Sequence, residues 1–277
     1  MKKQAPALLA ACLYLFCACS SLAHVPPPDK TQWTEVTEAV YEQAAYSFAP
    51  LAAADSFTAG DGSGELARYD YQLITLSASN LDSVSPMEKE AAERNIENFN
   101  KRMASLLEDS VALGKQIGAD ALRAHEQGSA AQPYYDETLA SAYLAGQIIS
   151  VRLDNGSFTG GAHPNSYTSS LLFDLKAGQF IDPTQIAESP ESFRTGVAEL
   201  LLAQAEALEV RDSFFPEYAE TIAHWNEGTV LFDETGMEVF FSCFELGPYA
   251  MGPVALHLDY AQLSGLIGEN GLARLGV

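Results

Sequence analysis

Gly160-Gly161-Ala162-His163-Pro164-Asn165 separates two runs that have the composition of β-strands, residues 143–153 and 167–174. A second turn sequence, Gly247-Pro248-Tyr249-Ala250-Met251-Gly252-Pro253, leads directly into a third such run at 254–258. Glycine permits tight backbone conformations and proline restricts the chain, so we expect both segments to be rigid turns at strand ends. The two turns therefore predict a C-terminal half that is rich in strands.

Two hairpins are predicted in the same half of the chain, and in each a four-residue turn joins two strand-like runs. The turns are Leu175-Lys176-Ala177-Gly178, between 167–174 and 179–181, and Asp233-Glu234-Thr235-Gly236, between 229–232 and 237–244. Alternating aromatic and polar residues predict a further strand at 66–76. After the last strand, Asp259 is expected to cap a short helix that ends at Gly268.

Two long helices are predicted from their caps and apolar stripes. Ser85-Pro86-Met87-Glu88 combines a capping serine, a proline at the first helical position and a glutamate three residues after the cap, and Ser189-Pro190 opens the second helix. The stripes at helical spacing are Ile96, Phe99, Met103, Leu106, Leu107 and Val111 in the first helix, and Phe193, Val197, Leu200, Leu201 and Leu208 in the second. Gly128 is expected to end the first helix, which Gly114 and Gly118 are expected to bend or divide, and 33–46 is predicted to be a short helix.

Hairpins interspersed with long helices, without a regular alternation of strand and helix, favour an α+β fold. We therefore predict a largely antiparallel sheet with two long helices and a hairpin-rich C-terminal domain.

The N-terminus predicts export. Lys2 and Lys3 precede an apolar run at 5–18, which has the layout of a signal peptide and is shorter than the roughly 20 residues of a spanning helix. The run ends in a lipobox-like sequence with Cys19 as the lipid-anchored residue. Ordinary cleavage after Ala23 is the alternative. Removal of residues 1–18 leaves Cys19 and Cys243, so a lipidated Cys19 leaves no thiol pair for a disulfide, and we expect Cys243 to be a small buried apolar residue.

The chain is strongly acidic, with a formal net charge of −22. Loss of residues 1–18 removes two lysines and no acids, which makes the net charge −22 − 2 = −24. This balance argues against nucleic acid as a partner, because such binding requires Lys and Arg against phosphates. Between residues 212 and 273 the chain has no Lys or Arg. Two interpretations stay open: a solvated surface that maintains solubility, or a face that steers a cationic partner.

No complete catalytic or metal-binding motif is present, and we expect neither a cofactor nor a metal. His163, Asn165 and Tyr249 are the candidate ligand-binding residues, because they lie on the two glycine- and proline-rich turns. His163 could act as a base or ligand, or could hydrogen-bond to its own loop. Tyr249 could be an exposed contact residue, or it could be buried against His163.

The two turns, together with SYTSSLLFDLKAGQFI at 166–181, resemble the extracytoplasmic domain pair of RsiV-type and PdaC-type bacterial surface proteins. The resemblance covers about residues 66–266 and implies four segments: a signal peptide at 1–18, a lipid-anchored tether and N-terminal segment at 19–64, a PdaC-like α+β domain at 65–158 and an RsiV C-terminal-like α+β domain at 159–277. RsiV binds lysozyme through this pair and joins it to a spanning helix and a sigma-factor-binding segment, whereas PdaC joins a similar region to a deacetylase domain. We recognise neither addition, so the resemblance implies a recognition module tethered by lipid.

Two functions are therefore expected as alternatives. The first is a non-enzymatic lipoprotein of the cell envelope, anchored in the outer membrane and facing the periplasm, that binds a cationic protein such as lysozyme or cell-wall material including peptidoglycan. The second is a cell-envelope hydrolase or deacetylase with a site around His163 and acids such as Asp174.

Overall fold

A computed structural model describes residues 38–41, 44–62, 64–129 and 132–277 of the chain. A seven-stranded sheet takes its strands in chain order. Its strands are β1 Glu38–Tyr41, β2 Ala44–Thr58, β3 Glu65–Ser79, β4 Tyr134–Ala145, β5 Ile148–Phe158, β6 Asn165–Asp174 and β7 Gln179–Ile181. All neighbours are antiparallel except β3 and β4, which are parallel. A parallel pair needs a crossover, and the helix α1, Pro86–Glu126, supplies it.

A second sheet has three antiparallel strands in the order β10-β9-β8, namely β8 Val230–Phe232, β9 Gly236–Phe241 and β10 Val254–Asp259. The remaining helices are α2 Pro190–Glu206, α3 Tyr218–Ala223 and α4 Tyr260–Arg274. The predicted α+β class, with its largely antiparallel sheet and two long helices, is confirmed. Among the described residues, no helix is both long and apolar enough to span a membrane.

The elements form four layers because side chains of a strand alternate between its two faces. On one face of the large sheet, Phe99 and Met103 of α1 pack with Ile149, Val151 and Phe173. The other face carries the small sheet, where Ser150 Oγ donates to the Phe232 carbonyl at 2.9 Å. The outer face of the small sheet packs on the buried stripes of α2 and α4, Phe193, Val197, Leu201, Leu263 and Ile267.

The N-terminal cap of α1 is confirmed. Ser85 Oγ accepts from the Glu88 amide at 3.3 Å, and the Ser85 amide donates to Glu88 Oε2 at 2.8 Å. The helix ends as expected before Gly128, whose φ of 70° lets it and Ser129 bond back to the carbonyls of His125 and Ala124. Of the two effects predicted for Gly114 and Gly118, bending or division, the helix shows no division, since it is continuous through both residues. These glycines instead make room for Tyr69 and Phe57 of the large sheet.

Three other predictions about local structure are wrong. Residues 38–41 and 44–46 are strands instead of helix, because they pair with one another and, from Ala45 onward, with β3. Residues 143–153 are not one strand: the chain reverses at Gly146 and Gln147, where Gly146 has a φ of 53° and lies against the end of α4. The last helix bends at Gly268 but resumes and continues to Arg274.

The predicted boundary between residues 158 and 159 falls in the loop that joins β5 to β6. Both strands belong to the seven-stranded sheet and pair from Ile148↔Asp174 to Ser157↔Asn165. Whether the segments on either side are separate domains stays a prediction. The predicted signal peptide, the lipid anchor at Cys19 and residues 19–37 of the tether and N-terminal segment lie outside the described residues.

Replacement of Ser85 with alanine is expected to lower the free energy of unfolding by roughly 0.5–2 kcal/mol, because the Glu88 amide loses its acceptor. The denaturant midpoint should fall without a change in the slope of the transition. Ser77→Ala is the matched control, since Ser77 is an exposed serine outside any cap. Equal midpoints for the two variants would contradict the assigned capping role.

Candidate functional site: an aromatic cluster where the two turns meet

The structure brings the two glycine- and proline-rich turns together. The imidazole of His163 stacks on the phenol ring of Tyr249, with ring centroids 4.3 Å apart. Phe244 completes the group at 5.4 Å from His163 and 5.5 Å from Tyr249. We call these three side chains the aromatic cluster. Beside it, Ser166 Oγ lies 3.7 Å from Cys243 Sγ, which joins the start of β6 to the segment after β9.

Buried side chains and backbone hydrogen bonds anchor the second turn, residues 247–253. Leu246 and Met251 are buried, and the Leu246 carbonyl accepts from the Phe215 amide at 2.8 Å. The Met251 amide donates to the Pro248 carbonyl at 2.8 Å, so the chain makes one short 3₁₀ turn that carries Tyr249. These contacts fix the backbone on both sides of Tyr249.

Phe244 has an unusual conformation for an aromatic residue. Its φ is 71°, in the left-handed region that side chains other than glycine rarely adopt, and half of its surface is exposed. Such strain persists only where surrounding structure enforces it, and it concentrates at functional sites. The Ser242 amide donates to the Glu245 carboxylate across this residue, which closes the turn around Phe244. Phe244 is thus the most distinctive member of the cluster, because its ring is exposed and its backbone is strained.

Further aromatic groups extend the cluster onto the large sheet. Tyr135 stacks on Phe158 at 6.3 Å, and the guanidinium of Arg68 lies 5.2 Å from the Tyr135 ring centre. Burial raises the pKa of the Tyr135 phenol, and the nearby charges of Glu137 and Tyr249 raise it further. The surface beside the cluster therefore combines aromatic faces with charges of both signs, Arg68 and Glu137.

His163 occupies an exposed position, and its Nδ1 lies 3.0 Å from the Pro164 carbonyl, as the loop-structure interpretation expects. It stacks on Tyr249, which is partly exposed. Asn165 is the first residue of β6 and is exposed. It shares its face of the sheet with Tyr167, because alternate residues of a strand point the same way, whereas Ser166 contacts Cys243 on the other face. Cys243 is partly exposed, so the expectation of a buried thiol is wrong.

The acid named with His163 in the hydrolase hypothesis lies elsewhere. Asp174 is at the far end of β6, a strand of 10 residues, which places it roughly 30 Å from the start of the strand. There it is buried and accepts from Arg274 at 2.8 Å and from Gln147 at 2.9 Å. In the described part of the chain, no group of three or more His, Cys, Asp or Glu side chains could hold a metal.

Phe244 and Tyr135 are site residues that the sequence analysis missed. Phe244 follows an apolar run, Val239-Phe240-Phe241-Ser242-Cys243, and so resembles one more buried residue of a strand. The strand in fact ends at Phe241. No local signal distinguishes an exposed phenylalanine from a buried one, because exposure depends on which elements cover the strand.

Two solved structures share this fold. A member of the DUF3298 family from Bacteroides fragilis NCTC 9343 matches with a TM-score of 0.62 at 18% identity, over 87% of this chain and 98% of that one. A DUF3298 family protein from Pseudomonas aeruginosa PAO1 matches with a TM-score of 0.52 at 16% identity, over 81% and 95%. At these identities the likeness shows the fold alone. No protein-family model matches the sequence, and neither does any curated protein.

Proposed function

We propose that this protein is a non-enzymatic lipoprotein of the cell envelope that binds a cationic protein outside the cytoplasm, as the resemblance to RsiV-type and PdaC-type domains implies. The observation that carries the proposal is the aromatic cluster of His163, Phe244 and Tyr249, in which His163 and Phe244 are exposed and Tyr249 is partly exposed. Rigid aromatic residues are favoured anchors of protein interfaces, because they bury much apolar area and lose little conformational entropy.

The charge around the cluster favours a basic partner. The chain carries 37 acidic against 15 basic side chains. Glu245 precedes the second turn by two residues, and Glu217 follows Phe215, whose amide donates to the Leu246 carbonyl. A negative surface accelerates association with a positive protein and contributes less to holding the complex. Aromatic faces also attract the Lys and Arg side chains of such a partner. Lysozyme is the first candidate, because RsiV-type domains bind it.

Lysozyme is expected to bind the immobilised protein at low ionic strength, and added salt should slow its association because it screens the carboxylates. Tyr249→Ala should raise the dissociation rate by about tenfold or more, since it removes an anchoring ring. Leu113→Ala is the matched control, because Leu113 is an exposed apolar side chain on α1, across the large sheet from the cluster. Surface plasmon resonance at two salt concentrations measures both rates.

Three results would contradict the proposal. They are no binding at low salt, equal binding of any basic protein such as cytochrome c, and equal dissociation rates for the Tyr249 and Leu113 variants. Binding of glycan strands in place of protein would redirect the proposal to cell-wall material. Turnover of a cell-wall substrate that His163→Ala abolishes, with thermal unfolding unchanged, would favour the hydrolase or deacetylase instead.

A further inference from the structure

Asp136 is a half-buried carboxylate on the face of the large sheet opposite the aromatic cluster. Tyr71 Oη donates to its Oδ2 at 2.6 Å, from a neighbouring strand that is 65 residues away in sequence. Tyr71 is fully buried and stacks on Tyr69 with ring centroids 5.1 Å apart, so the hydroxyl has little freedom. The carboxylate is therefore held in one orientation by a rigid neutral donor.

The Asp136 carboxylate is partly buried, and no positively charged side chain among the described residues pairs with it. Burial raises the pKa of Asp136, and the hydrogen bond from Tyr71 opposes that rise. In the described ranges no Lys, Arg or His forms an ion pair with it, whereas the comparable acids Asp154 and Asp174 are paired with Arg152 and Arg274. Because a desolvated charge is costly unless it is compensated, the free side of Asp136 favours a cation.

An exposed aromatic ring lies on the same face of the sheet, two strands away. Tyr167 of β6 is 53% exposed at the edge of the large sheet, because β7 pairs only with residues 172–174 of β6. Tyr167 pairs with Asn155, and Asn155 pairs with Thr138, which follows Asp136 by two residues, so Tyr167 and Asp136 lie on one face of the sheet. Burial raises the pKa of Tyr167, and the charge of Asp136 raises it further. On β5, the strand between them, Asn155 Oδ1 accepts from Thr138 Oγ1 of β4 at 2.9 Å.

A carboxylate beside an aromatic face is the combination that suits a guanidinium group. The planar cation donates charge-assisted hydrogen bonds to the carboxylate while its face stacks on the ring. We propose that Asp136 and Tyr167 form a binding site for the guanidinium group of an arginine side chain, with Tyr71 positioning the carboxylate. Neither group belongs to the aromatic cluster.

The site lies at the same end of the large sheet as the cluster. Asp136 pairs with Ser157, and Ser157 pairs with Asn165, which follows His163 by two residues. A basic protein bound at this end of the sheet would contact the aromatic cluster on one face. One of its arginine side chains would bind Asp136 and Tyr167 on the other face. The statement that the arginine belongs to a cationic protein rests on the proposed function. The arginine site itself can be tested without any partner protein.

The test is a titration of the ¹⁵N-labelled protein with N-acetyl-argininamide, followed by NMR. Saturable shifts are expected at amides near Asp136, Asn155 and Tyr167. N-acetyl-citrullinamide is the matched neutral ligand and should bind at least about tenfold more weakly, because it lacks the charge. Asp136→Asn keeps an acceptor for Tyr71 and should weaken argininamide binding by a similar factor. Asp70→Asn is the control, since it removes one carboxylate from the opposite face of the same sheet.

Equal binding of the two ligands would overturn the inference, and so would unchanged binding in the Asp136 variant. If Asp136→Asn lowers the thermal midpoint so far that it cannot be titrated, Tyr167→Leu takes its place and must weaken argininamide binding. An equally strong response to the N-acetylated amide of lysine would overturn the preference for guanidinium. Tyr249→Ala is expected to leave argininamide binding unchanged while it raises the rate of lysozyme dissociation. Loss of the arginine site with lysozyme binding intact would contradict only the inference drawn here.

Discussion

Replacement of Asp174 with alanine is expected to lower the free energy of unfolding by about 3–5 kcal/mol, the range for breaking a buried ion pair by removing one partner. Its side chain is 3% exposed and pairs with Arg274 at 2.8 Å. Its Oδ1 also accepts from Gln147 Nε2 and from the amides of Lys176 and Ala177, each at 2.9 Å. The carboxylate thus joins the end of α4 to the β4–β5 and β6–β7 turns, and its loss leaves several donors without an acceptor.

Chemical denaturation of wild type and variant measures this effect. Asp82→Ala is the matched control, because Asp82 also pairs with a cation, Lys89 at 2.7 Å, but its side chain is 94% exposed. The control should leave the denaturant midpoint unchanged, since exposed pairs contribute little. Equal midpoints for the two alanine variants would show that the Asp174 network does not stabilise the fold. Ligand binding through Tyr249 should survive Asp174→Ala at temperatures where the variant is folded.

Glu238→Gln is expected to remove a pH dependence of stability that the wild type shows. Glu238 is 1% exposed on the face of β9 that meets the large sheet, and its Oε2 has no hydrogen-bond partner among the described residues. Burial raises the pKa of Glu238 from 4.5 to about 8; Arg152 opposes that shift and Asp233 adds to it. At neutral pH the folded protein therefore holds this side chain in its protonated form.

The sign of the effect follows from the two pKa values. Below pH 4.5 the side chain is protonated in both the folded and the unfolded chain, so it causes no pH dependence. Between pH 4.5 and about 8 only the unfolded chain releases the proton, so stability falls as the pH rises, by up to about 1.4 kcal/mol per unit. Above about pH 8 both states are ionised and the difference is constant.

The glutamine variant should match the wild type in acid and exceed it at pH 8, as measured by urea unfolding at a series of pH values. Glu234→Gln is the control, because it removes one carboxylate from the exposed turn of the same hairpin. Its curve should keep the slope of the wild type. Parallel curves for the two glutamine variants would exclude Glu238 as the source of the pH dependence.

Local signals predicted the starts of the two long helices well and the strand boundaries less well. The Ser85 cap, the Gly128 stop and the Gly178 turn each depend on contacts within a few residues, so their residue types are informative. The Gly146–Gln147 turn was missed, because it interrupts a run of strand-forming residues with only one glycine. Residues 38–41 were mistaken for helix, because pairing with the strand that follows overrides a weak helical pattern.

For the candidate site too, some features follow from local sequence and others only from the tertiary structure. By itself the sequence determined the charge balance, the helix caps, the apolar stripes and the two rigid turns, since all of these depend on composition or on neighbouring residues. Only the tertiary structure decided that His163 stacks on Tyr249, that Phe244 is exposed, and that Asp136 meets Tyr71 without a cation. These contacts join residues far apart in the chain, and they follow from sheet register and from the packing of one sheet on the other, which no short segment encodes.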